Sequence, residues 1–373
     1  MGSEGYLINQ FIVKHTNHRT DEWGGSYENR IKLPIEIVQK TRKAVGENFI
    51  IIYRLSMIDL IEDGSTWEEV VQLAKAIEAA GATIINTGIG WHEARIPTIA
   101  TQVPRAAFSW VTKKLKSEIS IPLCTSNRIN DPQVAEDIIS EGHADMVSMA
   151  RPFLADAYFV SKAAAGKADE INTCIACNQA CLDHTFSNKI ASCLVNPRAC
   201  FETDLNYLPV TQAKKLAVVG SGPAGMEFAT TAARRGHDVT LFDSASEIGG
   251  QFNLAKTIPG KEEFHQTIRY FKKQIELTGV KLVLNKRVSA EDLKSFDEVI
   301  LATGIIPREL KIEGADLKKV VNYIDIIKGN HVAGKRVAVI GAGGIGFDVS
   351  EYLSTEDPKH MPSVQEWLRE WGI

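Results

Sequence analysis

The chain has 373 residues, of which 44% are hydrophobic and 24% charged, and its formal net charge is −4 at pH 7. This composition excludes collagen, coiled coils and disordered chains, and the length predicts two or three domains. The small negative charge argues against a nucleic-acid partner. No apolar run reaches the ~18 residues of a membrane span, and no basic and apolar leader opens the chain. We therefore expect a cytoplasmic protein without a membrane partner.

Residues 1–165 alternate short apolar runs with amphipathic segments. Strands are predicted at residues 49–55, 83–89, 122–128 and 146–151. Helices are predicted at residues 66–80, 105–116, 131–140 and 152–165. The first helix would begin with Ser65 and Glu68 as a capping box. This alternation is typical of βαβ units and predicts an α/β fold with a parallel sheet. An eight-stranded β/α barrel needs about 250 residues, so four strands predict the C-terminal half of such a barrel.

Chemistry in such barrels lies just after the carboxyl ends of the strands. At those positions the sequence has Arg54, Asn86-Thr87-Gly88, His92, Asn127-Arg128 and Ala150-Arg151. A single arginine there is usually part of a surface ion pair, and a single histidine is more often structural. Three arginines in successive units instead indicate a site for a phosphate and an electron-rich ring.

Four cysteines lie within twenty residues in the pattern C-x2-C-x3-C-x11-C, at Cys174, Cys177, Cys181 and Cys193. Four thiolates can hold zinc or an iron–sulfur cluster, or they can be unligated core thiols. Structural zinc sites more often use two C-x2-C pairs, so this spacing favours an iron–sulfur cluster. Cys124 and Cys200 are left over. Residues 166–212 are therefore predicted to form a cluster segment and linker.

A dinucleotide-binding fold is predicted at residues 213–310. A strand at 215–219 leads into the turn Gly220-Ser-Gly222-Pro-Ala224-Gly225, a helix at 224–235 and a second strand at 238–242. Asp243 follows, where a carboxylate can bind a ribose. Such glycines let backbone N–H groups approach a pyrophosphate at the helix N-terminus. A later strand at 298–301 runs into Ala302-Thr303-Gly304, which is characteristic of FAD folds.

A second glycine-rich turn follows a predicted strand at residues 336–340. It contains Gly341, Gly343 and Gly346, and a helix is predicted from Phe347. The strand that would carry the ribose contact does not follow. Residues 311–373 are therefore predicted to start an NAD(P)-binding fold that is incomplete, and the choice between NAD and NADP stays open.

The order of these parts resembles the bacterial 2,4-dienoyl-CoA reductases (NADPH), relatives of old yellow enzyme and trimethylamine dehydrogenase. The similarity runs over essentially the whole chain and is most specific at residues 5–9, 23–26, 89–95, 148–152 and 174–193. The stretch Gly90-Trp91-His92-Glu93 distinguishes this family from generic barrel oxidoreductases. Because the family is close to twice as long, we expect this chain to be an internal fragment.

The resemblance implies a route for electrons from NADPH to FAD, through a [4Fe–4S] cluster, to FMN and then to a dienoyl-CoA thioester of unsaturated fatty acid β-oxidation. It implies that Tyr6 protonates the substrate and that His92 lies near the thioester carbonyl. It also implies binding residues for each group: Arg54, Arg128, Ala150 and Arg151 for FMN; Ala224, Asp243, Gln251 and Val288 for FAD; Cys174, Cys177, Cys181 and Cys193 for the cluster. The longer family protein is expected to be a monomer.

Other interpretations remain open. One is another reductase or dehydrogenase with the same parts, such as an enoate reductase or an amine dehydrogenase. A different class is an electron-transfer module that reduces a separate partner. The last is an inactive fragment.

Overall fold

The computed structural model describes residues 2–308, 311–358 and 360–373. The predicted domain boundary at residue 310 lies outside the described residues. The chain divides into two compact units: Met1–Phe153 with Pro362–Ile373, and Leu154–Met361. No helix in the described ranges is long and apolar enough to cross a membrane.

The first unit alternates helices and strands, as the sequence predicts. Its elements are α1 (Leu7–Ile12), α2 (Tyr27–Arg30), α3 (Lys32–Val45), β1 (Ile52–Ile58), α4 (Trp67–Ala79), β2 (Ile84–Ile89), α5 (Ser109–Lys116), β3 (Leu123–Thr125), α6 (Pro132–Ser140), β4 (Met146–Val147) and α7 (Arg151–Ala155), the last crossing into the second unit. The four strands form a parallel sheet in the order β1-β2-β3-β4. All four predicted strands exist, but β1 is shifted by three residues and both β3 and β4 are shorter than predicted.

One cross-strand row of this sheet carries polar side chains. Arg54 is paired with Asn86, Asn86 with Cys124, and Cys124 with Met146. Residues in register on parallel strands point to the same face, so this row forms one surface. The alternate residues, including Leu55, are buried with the apolar side of α4 in the core of the first unit.

The capping box of α4 differs by one residue from the prediction. Thr66 is the N-cap and pairs reciprocally with Glu69, not Ser65 with Glu68. The reason is that the Ser65 backbone N–H donates to Asp59 Oδ2 at 2.8 Å, which holds Ser65 in the preceding loop.

The last helix of the chain, α16 (Val364–Glu370), packs in the first unit. Trp367 is 2% exposed, and its ring meets Phe108 edge-on at 5.9 Å between centroids. Burial of the apolar ring favours this packing, although the indole N–H is buried without a hydrogen-bond partner among the described residues. This packing was not anticipated from the sequence, which groups residues 311–373 as one segment.

The second unit contains the cysteine segment and a nucleotide-type sheet. Its named elements are α8 (Phe159–Ala164), α9 (His184–Phe186), β5 (Lys215–Val219), α10 (Pro223–Arg234), β6 (Asp238–Phe242), α11 (Phe252–Ala255), α12 (Phe264–Thr278), β7 (Lys281–Val283), α13 (Ala290–Leu293), β8 (Glu298–Leu301), α14 (Tyr323–Ile327) and α15 (Gly344–Ser354). The strands are parallel in the order β7-β6-β5-β8. This order is that of a dinucleotide-binding half, and the strands predicted at 215–219, 238–242 and 298–301 are confirmed.

The prediction of a strand at residues 336–340 is wrong. The segment forms no strand in the described part of the chain, and Val337 and Ile340 are exposed. An apolar run becomes a strand only when a neighbouring strand pairs with it, and no described strand lies beside this one.

Candidate active site and cofactor sites

Tyr6 and His92, which are 86 residues apart in the sequence, meet in the first unit. The Tyr6 hydroxyl lies 3.0 Å from His92 Nε2, and the two rings are nearly perpendicular with centroids 5.2 Å apart. Tyr6 is the N-cap residue of α1, whereas His92 lies in the loop after β2. Tyr6 is 47% exposed and His92 is also exposed, so a substrate can reach both side chains.

Arg54 lies at the sheet surface and is held by two side chains. Its Nε and Nη2 donate to the Glu4 carboxylate, the shortest contact being 2.5 Å, and its Nη1 donates to Asn86 Oδ1 at 2.8 Å. Asn86 in turn donates to Ser148 Oγ at 3.2 Å. Three of the five guanidinium N–H groups are used in these contacts, which leaves two for a ligand. This fits a flavin ring, whose pyrimidine edge carries acceptors. Glu4 was missed by the sequence analysis.

The other two arginines hold the loop between β2 and α5. Arg128 Nε donates to the Val103 carbonyl at 2.7 Å, and Arg151 Nη1 donates to the Ile99 carbonyl at 2.9 Å. Arg128 is 5% exposed, and Ala150, just before α7, is exposed. Both arginines therefore bind the loop between β2 and α5, and His92 lies in the same loop, near its start.

Cys124 is a buried member of the cross-strand row that begins with Arg54 and Asn86. Burial raises the pKa of its thiol, although a hydrogen bond with Ser148 and the charge of Arg54 act in the opposite direction. We expect iodoacetamide at pH 8 to modify Cys124 much more slowly than the exposed Cys200, because less thiolate is present and access is restricted. Peptide mapping by mass spectrometry after timed labelling measures this. Equal rates at the two thiols would contradict the buried position.

The four predicted cluster cysteines are free thiols in one segment of the second unit. Burial raises the pKa of Cys177, with smaller contributions from Cys174 and Cys181, and it raises the pKa of Cys193 to about 11, with contributions from Cys174 and Cys177. Cys177 is thus near enough to Cys174 and Cys181, and Cys193 to Cys174 and Cys177, for their charges to affect one another. No group of three or more His, Cys, Asp or Glu residues in the described ranges is arranged to hold a single metal ion.

The backbone around these cysteines has the geometry of an anion cradle. Ala176 and Asn178 adopt positive φ angles of 54° and 62°. Backbone groups of Gln179 and of residues 195 and 196 lower the pKa of the Cys177 and Cys193 thiols, against the larger effect of burial. Alternating left-handed residues turn successive N–H groups inward, an arrangement common at iron–sulfur sites. The donor set and this backbone therefore fit an iron–sulfur cluster.

Arg269 joins the cysteine segment to the nucleotide-type fold. From α12 its guanidinium donates to the carbonyls of Asp169 (2.6 Å) and Ile171 (2.7 Å) and to Thr173 Oγ1 (3.0 Å). These acceptors immediately precede Cys174. The first cysteine is thereby fixed relative to the helix that packs on the nucleotide-type sheet.

The turn after β5 has the form that a pyrophosphate requires. A Cβ at Gly225 would overlap the Gly220 carbonyl oxygen, whereas a Cβ at Gly222 would meet no atom within 4 Å. Gly225 therefore allows α10 to pack on its own turn, and Gly222 borders open space at the helix N-terminus. A Cβ at Gly346 would overlap the Gly341 carbonyl oxygen in the same way, and a Cβ at Gly343 would meet no atom within 4 Å.

Asp243 lies at the end of β6, at the edge of this open space. Its Oδ2 accepts from Ser221 N (2.6 Å) and Oγ (2.7 Å), and its Oδ1 accepts from Ala245 N (2.8 Å). Burial alone would raise the pKa of Asp243, but these hydrogen bonds outweigh burial and lower it.

The two other residues predicted to contact FAD are Gln251 and Val288. Gln251 Nε2 donates to the Ile305 carbonyl at 2.7 Å, and Val288 is half-buried.

Two neighbouring glycines provide a matched test of this turn. We expect Gly225→Ala to destabilise the chain by about 1–3 kcal/mol, because the added methyl displaces the Gly220 carbonyl. We expect Gly222→Ala to leave stability nearly unchanged and to weaken FAD binding. Denaturant unfolding and FAD titration distinguish the two effects. Equal stability loss in both variants would contradict the geometry.

Comparison with known proteins matches two parts of the chain to two different families. Residues 1–170 match the NADH:flavin oxidoreductase / NADH oxidase family, and residues 214–357 match the pyridine nucleotide-disulphide oxidoreductase family. A metal reductase of Desulforamulus reducens is 37% identical over 95% of this chain and 54% of its own length. A cinnamate reductase of Clostridium sporogenes is 33% identical over 95% of this chain and 55% of its own length.

A solved structure of 2-naphthoyl-CoA reductase in complex with 2-naphthoyl-CoA is also similar. It has 40% sequence identity and a TM-score of 0.91, over 94% of this chain and 54% of that chain. The chain spans about half the length of the curated relatives it matches. The chain is thus similar to the NADH:flavin oxidoreductase / NADH oxidase family over residues 1–170 and to the pyridine nucleotide-disulphide oxidoreductase family over residues 214–357.

Proposed function

We propose that this chain belongs to a flavoprotein that uses NAD(P)H to reduce a carbon–carbon double bond conjugated with a carbonyl. The observation that carries the proposal is the 3.0 Å contact between the Tyr6 hydroxyl and His92 Nε2, on the unit that also presents Arg54. The relatives that reduce cinnamate and 2-naphthoyl-CoA support this reaction class.

The reaction needs two groups from the protein. Hydride addition to the conjugated bond places negative charge on the carbonyl oxygen, which a donor such as His92 stabilises. The resulting enolate then needs a proton on carbon, which the Tyr6 hydroxyl donates and later regains from solvent. When bound, FMN supplies the hydride. Both side chains are exposed on one side of the first unit, so one substrate can contact both.

The remaining predicted residues are proposed as cofactor contacts. Arg54, Arg128, Ala150 and Arg151 would hold FMN, and the two free N–H groups of Arg54 support this. The turn Gly220–Gly225, with Asp243, Gln251 and Val288, would hold FAD. Cys174, Cys177, Cys181 and Cys193 would hold a [4Fe–4S] cluster, since a cubane spaces its ligands more widely than one zinc ion does. Gly341, Gly343 and Gly346 would face NADPH.

These assignments carry the proposed domain division. Residues 1–165 would bind FMN, residues 166–212 the cluster and residues 213–310 FAD, and residues 311–361 would begin the NAD(P)-binding part, because residues 362–373 belong to the first unit. The family matched by residues 1–170 supports the first division, and the family matched by residues 214–357 supports the third and fourth together.

The substrate is proposed to be an acyl-CoA thioester. The solved relative bound to 2-naphthoyl-CoA supports this class, and the resemblance at residues 89–95 favours 2,4-dienoyl-CoA within it. A free enoate such as cinnamate is the second candidate, because a curated relative reduces cinnamate.

A substrate panel tests the proposal. The chain, supplied with FMN, FAD and a reconstituted cluster, is incubated anaerobically with NADPH or NADH and with 2,4-dienoyl-CoA, 2-naphthoyl-CoA, cinnamate or dimethylamine. We expect nicotinamide oxidation to depend on a thioester or an enoate. Amine oxidation without double-bond reduction would support an amine dehydrogenase instead. Reduction of artificial dyes alone would support an electron-transfer module.

A further inference from the structure

A buried carboxylate connects the two segments that carry Tyr6 and His92. Asp59, which is 3% exposed, follows β1 and was not singled out from the sequence. Its Oδ1 accepts hydrogen bonds from Trp91 Nε1 at 2.9 Å and from Asn9 Nδ2 at 3.4 Å. Trp91 immediately precedes His92, and Asn9 lies in the helix that begins after Tyr6. One carboxylate oxygen is therefore shared between both segments.

On the histidine side, Trp91 makes two hydrogen bonds with Asp59. Besides the indole contact, the Trp91 backbone N–H donates to the Asp59 carbonyl at 3.0 Å. Trp91 is itself buried. The backbone that presents His92 is therefore fixed to Asp59 through both the main chain and a rigid side chain.

On the tyrosine side, the connection runs through Asn9. The Gly5 N–H donates to Asn9 Oδ1 at 2.9 Å, so Asn9 contacts Gly5 and Asp59 with the two ends of its amide. Gly5 has a φ of 83°, and a Cβ there would lie 2.8 Å from the Trp91 ring. The residue before Tyr6 therefore packs directly against the residue before His92.

Asp59 also accepts hydrogen bonds from two residues close to it in the sequence, one in β1 and one in the loop that follows. Ser56 Oγ donates to Oδ1 at 2.7 Å and Ser65 N donates to Oδ2 at 2.8 Å. The next residue, Leu60, has a φ of 59°, a conformation that costs a side-chain-bearing residue on the order of 1 kcal/mol or more. Such local strain persists only where surrounding contacts fix the backbone, as the four donors to Asp59 do here.

We propose that Asp59 is the positioning residue that sets the contact between the Tyr6 hydroxyl and His92 Nε2, an inference that rests on the proposed function. Tyr6 and His92 are both exposed, so burial of their own side chains does not set the distance between the Tyr6 hydroxyl and His92 Nε2. The Asp59 Oδ1 atom holds both segments, because a shift of either segment would break a hydrogen bond in a buried site. The proton donor and the donor to the carbonyl oxygen then meet the same substrate in one fixed geometry.

The test uses Asp59→Asn in the full chain, with Asp145→Asn as the matched control. An amide cannot accept on both sides, so at least one donor to residue 59 loses its partner. Asp145 undergoes the same chemical change, but it lies just before β4, where it accepts hydrogen bonds from Leu123 N (2.9 Å) at the start of β3 and from Lys116 Nζ (2.7 Å). Histidine-selective 15N NMR reports the hydrogen bond of His92 without any cofactor or substrate, and Tyr6→Phe provides the reference for its loss.

We expect the His92 signal of Asp59→Asn to move toward that of Tyr6→Phe, while Asp145→Asn keeps the native signal. In the loaded protein we expect kcat to fall by about 10²-fold with a smaller change in KM, because a displacement near 1 Å has that effect on a catalytic pair. If Asp59→Asn does not fold, Trp91→Phe removes the indole donor alone and is expected to move the signal in the same direction.

A native His92 signal in both folded variants, Asp59→Asn and Trp91→Phe, would overturn the positioning role, whatever the activity. A shifted signal in a protein that reduces no thioester or enoate would retain the positioning role and overturn the proposed function. The two failures are therefore distinguishable.

Discussion

In the Tyr6→Phe variant we expect kcat for double-bond reduction to fall by about 10²- to 10⁴-fold, because the side chain no longer donates a proton to carbon. Phenylalanine keeps the ring that meets His92 edge-on at 5.2 Å between centroids, so the change removes little besides the hydroxyl. Stopped-flow mixing of the reduced protein with substrate measures the affected step. Reduction of the bound flavins by NAD(P)H is expected to keep its native rate.

His92→Gln separates the two roles in the pair. Glutamine retains a donor but not its position, so we expect a loss of about 10²- to 10³-fold, as for an oxyanion donor. The double variant is expected to lose less than the product of the two single effects, because both residues act on one substrate. An unchanged kcat in Tyr6→Phe, with substrate reduction intact, would contradict the assignment of Tyr6 as the proton donor.

The second large effect concerns the cysteine segment. We expect the reconstituted chain to hold about four iron atoms and Cys181→Ala to lose most of them, because each thiolate binds a separate corner of the cluster. Electron transfer from NAD(P)H to the double bond is then expected to fall to background. FAD binding at the Gly220–Gly225 turn is expected to persist, since those residues make no use of the cluster.

Cys200→Ala is the matched control for that experiment. Cys200 is exposed and lies outside the four-cysteine pattern, so its removal is expected to leave the iron content unchanged. Metal analysis and visible absorption of the purified variants measure both outcomes. About one zinc per chain, with no visible absorption, would contradict the iron–sulfur assignment and support a structural zinc site.

Local sequence signals predicted the nucleotide-type fold well. The turn Gly220–Gly225 is determined by residues in direct succession, and the structure packs Gly225 against the Gly220 carbonyl while leaving Gly222 beside open space. The strand predicted at residues 336–340 failed for the opposite reason. A strand depends on a neighbour, and an apolar pattern does not show whether that neighbour exists.

The active-site pair depended on the resemblance, because Tyr6 and His92 are far apart in the sequence. Asp59 could not be found from local pattern, since two of its four donors, Asn9 and Trp91, are 50 and 32 residues away in the sequence. The same residue explains the error at α4: Asp59 holds the Ser65 N–H, so the helix cap moves to Thr66. Glu4 was missed likewise, because its partner Arg54 is fifty residues away.

Mass spectrometry of the product shows whether this protein reduces a conjugated carbon–carbon double bond. The chain with its cofactors is incubated anaerobically with NADPH and 2,4-dienoyl-CoA, and in parallel with cinnamate. We expect a product that has gained two hydrogen atoms across a double bond, formed in proportion to the NADPH consumed and in much smaller amount by Tyr6→Phe. Unchanged thioester and unchanged enoate in a protein whose flavins are reduced by NADPH would contradict it.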